Sequence, residues 1–324
     1  MTLRNFINHV MEQLAPLYPP QECKAMAVRM LKEMLAGYKG YEHMVEPATE
    51  LDTFQIATEG TAEKNQPSQQ HSGAEKYLLS CVERLATGEP LQYVMGFEWF
   101  CGHKFNVAPG VLIPRPETEE LVNKAIEFAQ AAALQPQSAA PLRVLDICTG
   151  SGCIAWSLAA ALLQSEVYAC DISQQALQIA RAQQIQCAGN TPAKVKFQEC
   201  DILSQQAQQK IAQACGEGEF NLIISNPPYV CECEKSQMRE NVLNHEPHLA
   251  LFVPDNDPLK FYRAIAQLSG RILAPGGALM FEINERFGAE TAQMMQQMGY
   301  TNCQVLQDLF GKDRMVVGYR ESVS

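Results

Sequence analysis

Apolar residues fall at helical spacing at the start of the chain. Leu3, Phe6, Ile7, Val10, Met11 and Leu14 share one face and predict an amphipathic helix over 3–15. Pro19-Pro20 ends it. A second helix is predicted at about 21–36, with Met26, Met30, Leu31, Met34 and Leu35 on its apolar side and Gly37 and Gly40 as stop signals. Such a methionine stripe suits either core packing or an adaptable binding face, and core packing is the reading preferred. Residues 58–74 are polar and rich in Gln, Ser and Thr, which predicts a loop. A third helix follows at 75–87, with Gly88 just past its end. From Pro90 the texture changes: residues 91–113 alternate and are aromatic-rich, which predicts hairpin strands. Pro114 and Pro116 pin a loop, and Glu117 or Thr118 is expected to cap a helix starting at 119. The Ala/Gln/Pro-rich segment 130–141 reads as a linker.

Beyond Arg143 strands and helices alternate. Strands are predicted at Val144–Ile147, Val167–Cys170, Val195–Gln198, Leu222–Ser225, Ala278–Ile283, Gln304–Leu306 and Met315–Gly318. Helices are predicted at about 153–164, 173–187, 204–214, 257–273 and 285–298. This alternation implies an α/β unit with a mostly parallel sheet covered on both faces. The strand at 222–225 runs into Asn226-Pro227-Pro228-Tyr229. Two prolines cannot continue a ladder, so the chain must leave the sheet there in a rigid extended loop. That loop presents an amide side chain, free carbonyls and an aromatic face at a strand's carboxyl end, where open α/β sheets bind ligands. A planar group carrying an NH2 can donate to the Asn226 side-chain oxygen and the Pro227 carbonyl, with Tyr229 over its face.

The 324 residues suffice for two domains, and 47% hydrophobic with 19% charged residues describes an ordinary globular chain. The net charge of -11, with basic residues scattered singly, argues against an extended nucleic-acid footprint. The 12 cysteines include no CxxC pair, and no secretory pattern precedes Leu14, so a reduced, cytoplasmic protein is expected. Cys231 and Cys233 lack the spacing and partners of a zinc site, and no metal is expected. No membrane-spanning helix is indicated, and a monomer is expected.

Val144–Ile147 leads through Cys148, Thr149, Gly150, Ser151 and Gly152 into a helix, a strand–turn–helix suited to a close-lying polar ligand. Alone this is weak, since any dinucleotide enzyme could show it. Asp171 ends the second strand about 20 residues on, where a carboxylate can accept from ribose hydroxyls. Asp201 and Ile202 end the third, where an acid and an apolar side chain can hold an adenine amino group and face. Each acid taken singly reads as a helix cap. Together with the glycine turn and Asn226–Tyr229, they read as a nucleoside site.

In this order, Gly150/Gly152, Asp171, Asp201 and Asn226-Pro227-Pro228-Tyr229 resemble the class I S-adenosylmethionine-dependent methyltransferases that act on amino groups. Six stretches together resemble the HemK/PrmC family of release factor glutamine methyltransferases: Gly88–Tyr93, Phe97–Gly102, Leu112–Glu119, Asp146–Ala155, Asn226–Tyr229 and His245-Glu246-Pro247 with Ala250-Leu251. The resemblance covers about 88 to the C-terminus. It implies a Rossmann-like α/β domain at 119–324 with a seven-stranded, mostly parallel sheet, a small helical substrate-docking domain at 1–90 and a connecting hairpin at 91–118. It further implies methylation of the Gly-Gly-Gln glutamine of peptide chain release factors, with S-adenosylmethionine as cofactor and S-adenosylhomocysteine as product. The implied catalytic residues are Asn226, Pro227 and Tyr229. The turn Cys148–Gly152, Asp171, Asp201, Ile202 and Asn226 would bind the cofactor. Asn226, Pro227, Pro228 and Tyr229 would receive the substrate, with Arg115, Glu117 and Glu246 shaping its mouth or else pinning loops. Cys148 stands where the family usually has glycine, which puts the path of the backbone beside the cofactor in question. Adenine or guanine amino groups would fit the same pocket, so a nucleic-acid base methyltransferase is the alternative enzyme. A silent cofactor-binding adaptor is the non-enzymatic one.

Overall fold

The computed structural model describes residues 1–35, 74–133, 141–187, 190–215 and 219–321. The loop expected at 58–74 falls, apart from Ala74, outside the described residues, as do the side chains of Met34 and Leu35. The chain divides into two compact units. One comprises Met1–Gly96 with Glu240–His245, and the other Phe97–Arg239 with Glu246–Ser324. The helical unit therefore extends past residue 90 and takes in a short segment from far along the chain.

In the helical unit, α1 (Leu3–Leu14) is capped by Thr2, whose hydroxyl accepts the Asn5 N–H at 3.1 Å. With α2 (Pro20–Leu35) and α3 (Ala74–Ala86) it encloses Phe6, Val10, Leu14, Ala27, Leu78, Val82 and Leu85. Met30 is buried and Met26 packs against the same cluster, so these methionines serve the core. Residues 91–95 are not a strand but a one-turn helix, α4 (Leu91–Met95). Pro90 presets its start, and Gly96, at φ 81°, ends it in the left-handed conformation that favours glycine.

In the second unit the expected hairpin is confined to β1 (Phe97–Phe100) and β2 (His103–Asn106), turning at Cys101 and Gly102, both at positive φ. The next helix, α5 (Pro116–Ala133), begins three residues earlier than expected, with Pro116 at its first position. It also runs into the expected linker. Then follow β3 (Leu142–Ile147), α6 (Cys153–Ala161), β4 (Ser165–Asp171), α7 (Gln174–Arg181), β5 (Val195–Glu199), α8 (Gln205–Cys215) and β6 (Phe220–Ser225). After several short turns come α9 (Lys260–Ile272), β7 (Leu273–Glu282), α10 (Gly288–Gln297), β8 (Tyr300–Gln307) and β9 (Asp313–Arg320). The sheet order is β8-β9-β7-β6-β3-β4-β5, and only β9 opposes the other strands. Because the chain leaves β3 first to β4 and later returns to β6, the sheet reverses its winding direction beside β3. Ligand crevices form at such switch points.

Strand residues alternate between two faces. Leu145, Ile147, Ile223 and Phe281 pack with α8, α9 and α10, whereas Val144, Leu222, Ile224 and Met280 pack with α5 and α6. No described helix is long and apolar enough to cross a membrane. Phe281 is fully buried and meets Tyr262 of α9 edge-on, with ring centroids 5.2 Å apart. Phe281→Ala should therefore cost about 3–5 kcal/mol in a urea titration, the usual range for truncating a buried aromatic.

Candidate active site

β3 and β6 are paired in register, Ile147 opposite Ser225, and the Ser225 hydroxyl donates to the Ile147 carbonyl at 2.5 Å. The next residues on the two strands are Cys148 and Asn226, so the glycine turn and the Asn-Pro-Pro-Tyr turn leave the sheet side by side. This register brings the two predicted motifs together.

In the glycine turn, Cys148, Gly150 and Gly152 have φ of 63°, 54° and 81°. A Cβ on Gly152 would lie 3.0 Å from Ala180 Cβ and 3.1 Å from Trp156, so the close approach of α6 to α7 requires glycine there. A Cβ on Gly150 would meet nothing, which leaves an open backbone surface. Cys148 adopts the left-handed conformation that glycine would take, so the turn keeps its path at a cost of about 1–2 kcal/mol. Burial and the neighbouring Asp171 and Asp146 push its thiol well above the ordinary range, which suits packing and not nucleophilic work.

Two carboxylates hold this turn. Asp146 is fully buried; its Oδ2 accepts the Thr149 hydroxyl at 2.5 Å and the Ala155 N–H at 3.1 Å, while Oδ1 has no partner among the described residues. Burial pushes its carboxyl up to about 7. Asp171 accepts from the Gly150 N–H at 2.8 Å and the Ser173 N–H at 2.9 Å. Burial raises it, and those two N–H groups oppose the rise. Asp171 thus ties the glycine turn to the end of β4. Asp201 accepts the Leu203 N–H at 2.9 Å within its own turn, and Ile202 is buried in the core on the α8 side.

On the other side, the Asn226 Nδ2 donates to Thr118 Oγ1 at 3.1 Å, and the Thr118 hydroxyl donates to Glu282 Oε2 at 2.6 Å. The Tyr229 hydroxyl donates to Glu282 Oε1 at 3.0 Å. Asn284 Nδ2 donates to the Tyr229 carbonyl at 3.2 Å. Pro227 and Pro228 are buried, while Asn226 and Tyr229 are half-exposed. Burial, reinforced by Glu282, raises the Tyr229 hydroxyl well above its usual range. Burial also raises Glu282, against the hydrogen bonds from Thr118 and Tyr229. Thr118 is not a helix cap. It lies inside α5, which starts at Pro116, and its hydroxyl is turned to the sheet. Glu282 and Asn284 were not among the residues expected here. The signal for Glu282 was a lone acid closing the apolar run Ala278–Phe281.

Glu246 is buried; it accepts the Ile113 N–H at 3.1 Å and pairs with Arg115 at 2.5 Å. This clamp pins the Leu112–Arg115 loop, with Arg115 left one-third exposed and Glu117 half-exposed. Cys231 is buried and Cys233 exposed, and no cluster of three or more metal-ligating side chains occurs among the described residues.

A model of the methyltransferase small domain matches residues 129–249, which span both turns. The chain is 38% identical over 320 residues to the release factor glutamine methyltransferase of Bacteroides thetaiotaomicron, covering 96% of this chain and 98% of that one. The chain belongs to the release factor glutamine methyltransferase family. A relative of the same name from Flavobacterium psychrophilum is 35% identical over 98% of both chains. Another, from Chlorobaculum tepidum, is 39% identical over 74% of this chain and 77% of its own. The sheet is accordingly that of a class I S-adenosylmethionine-dependent methyltransferase, as the sequence led one to expect.

Asp146 carries a pH dependence. Its carboxyl rises from the ordinary 3.8 to about 7 on folding, so its contribution to stability is full below pH 3.8 and is lost as pH rises to about 7. Asp146→Asn should remove that loss. In urea titrations, the variant should gain on the parent chain between about pH 4 and 7, and the gap should level off above.

Proposed function

We propose that this chain methylates the side-chain amide nitrogen of the Gly-Gly-Gln glutamine in peptide chain release factors, using S-adenosylmethionine and giving N5-methylglutamine and S-adenosylhomocysteine. The observation that carries this reading is the in-register pairing of Ile147 with Ser225, which sets an amide-accepting turn beside a glycine turn. Family membership over nearly the whole chain favours it over methylation of a nucleic-acid base. A release factor substrate implies a cytoplasmic site of action.

The residues present fit the cofactor. The backbone of Cys148–Gly152, with open space over Gly150, would cradle it, and the orphaned Asp146 Oδ1 lies behind the same turn. Asp171 and Asp201 at the ends of β4 and β5 would take its ribose and adenine polar groups, with Ile202 beside them. When bound, S-adenosylmethionine supplies an electrophilic methyl on a sulfonium centre. The chain's own task is to present a poor nucleophile, because an amide nitrogen shares its lone pair with its carbonyl. Among the described residues no donor reaches Asn226 Oδ1 or the Pro227 carbonyl. Both are therefore available to accept the two N–H bonds of the glutamine amide. Held there, the nitrogen is fixed in orientation, and positive charge growing on it is met by two oxygens until one proton passes to water. Tyr229, anchored through its hydroxyl, offers its ring as a wall for the planar amide. Pro228 stiffens the turn, and the Arg115–Glu246 clamp holds the adjoining loop at the mouth.

The experiment is methyl transfer from labelled S-adenosylmethionine to a purified release factor, to its Gly-Gly-Gln glutamine variant and to a single-stranded nucleic-acid pool. Label should enter the unaltered release factor only, and label in nucleic acid would overturn the substrate. Asn226→Ala should lower kcat on the order of a hundredfold or more, as for loss of one preorganised polar group.

A further inference from the structure

The Asn226 amide has two faces, and only one serves the proposed reaction. With its oxygen outward it accepts a substrate N–H; with its NH2 outward it repels one. The hydrogen bonds behind it decide which face is shown. Glu282 is 1% exposed and lies at the end of β7. On the alternating pleat, its neighbour Phe281 packs with α9 while Glu282 turns to α5, where Thr118 waits at 2.6 Å. An ionised carboxylate only accepts, and its two oxygens take the hydroxyls of Thr118 and Tyr229. A threonine hydroxyl has a single proton. Once it is given to Glu282, Thr118 Oγ1 can only accept from Asn226, 3.1 Å away. The group facing it must then be the NH2, and the oxygen is left pointing outward.

We propose that Thr118 and Glu282 are positioning residues that set the orientation of the Asn226 amide by this one-way chain of donors. The same carboxylate anchors Tyr229, so one buried acid orders both the acceptor and the wall of the pocket. This inference rests on the proposed function for its catalytic consequence, although the orientation itself does not. Thr118 and Glu282 act through Asn226 and Tyr229.

The test uses the full chain with Thr118→Val, which keeps shape and removes the hydroxyl, and Thr118→Ser, which restores it. Thr118→Val should lower kcat on a release factor by about ten- to a hundredfold. Thr118→Ser should stay within about threefold of the parent, and both should keep the parent's Kd for S-adenosylmethionine. Glu282→Gln, which can donate to either hydroxyl, should lower kcat with the same Kd preserved. Independently of turnover, nitrogen-15 spectra should show the Asn226 side-chain NH2 protected from exchange in the parent and in Thr118→Ser but not in Thr118→Val. Its signal would be identified by its absence in Asn226→Ala. Parent-like kcat in Thr118→Val, or unchanged protection there, overturns the inference. If Thr118→Val fails to fold, parent-like kcat in Glu282→Gln overturns it. A parent chain that leaves release factors unlabelled overturns the function, and the exchange measurement then still decides the orientation.

Discussion

The pairing of β3 with β6 is the constraint on which the site depends. Strands of a parallel sheet are placed by ladders of backbone hydrogen bonds, and a slip of one residue would send each side chain to the opposite face. With Ile147 opposite Ser225, the glycine turn and the Asn226–Tyr229 turn emerge together. The Ser225 hydroxyl bonded to the Ile147 carbonyl ties the two strand ends at that point. The apolar layers on both faces, Val144 and Leu222 on one and Leu145 and Ile223 on the other, hold that register from above and below.

Around this seam the chain uses buried carboxylates as fasteners. Asp146 and Asp171 bind the glycine turn, Glu282 binds the Asn226 turn to α5, and Glu246 binds the loop before α5. Each is desolvated, which raises Asp146, Asp171 and Glu282 from their ordinary values. A buried acid is expensive to hold, but it accepts several hydrogen bonds and no donor can replace it without reordering its neighbours. Such groups contribute definition more than stability: they leave few alternative arrangements for the turns they join.

Cys148 illustrates how much geometry outweighs residue type. The sequence resemblance led one to expect glycine at this position, and the cysteine takes the left-handed backbone that favours glycine. Two residues on, the Gly150 N–H donates to Asp171 and holds the turn that this backbone opens. Backbone strain of modest size is tolerated where the surrounding bonds define the path.

Much of the architecture was legible in the sequence. The seven strands of the sheet, and the helices between them, follow from apolar runs and breakers that act within a few residues. The Asn226–Tyr229 turn follows from what two prolines forbid. Residues 91–95 misled because their aromatic alternation imitates a strand, whereas Pro90 and Gly96 select one helical turn. Thr118 read as a cap because capping is a local chemistry; its actual partner, Glu282, is 164 positions away. The same holds for Glu246, which binds Ile113 and Arg115 from more than a hundred residues along the chain. Local sequence determined which residues turn, extend or coil, since those preferences arise within a few bonds. Only the tertiary structure decided which buried acid meets which donor, because that pairing is set by the sheet order and the pleat that carry distant residues to one place.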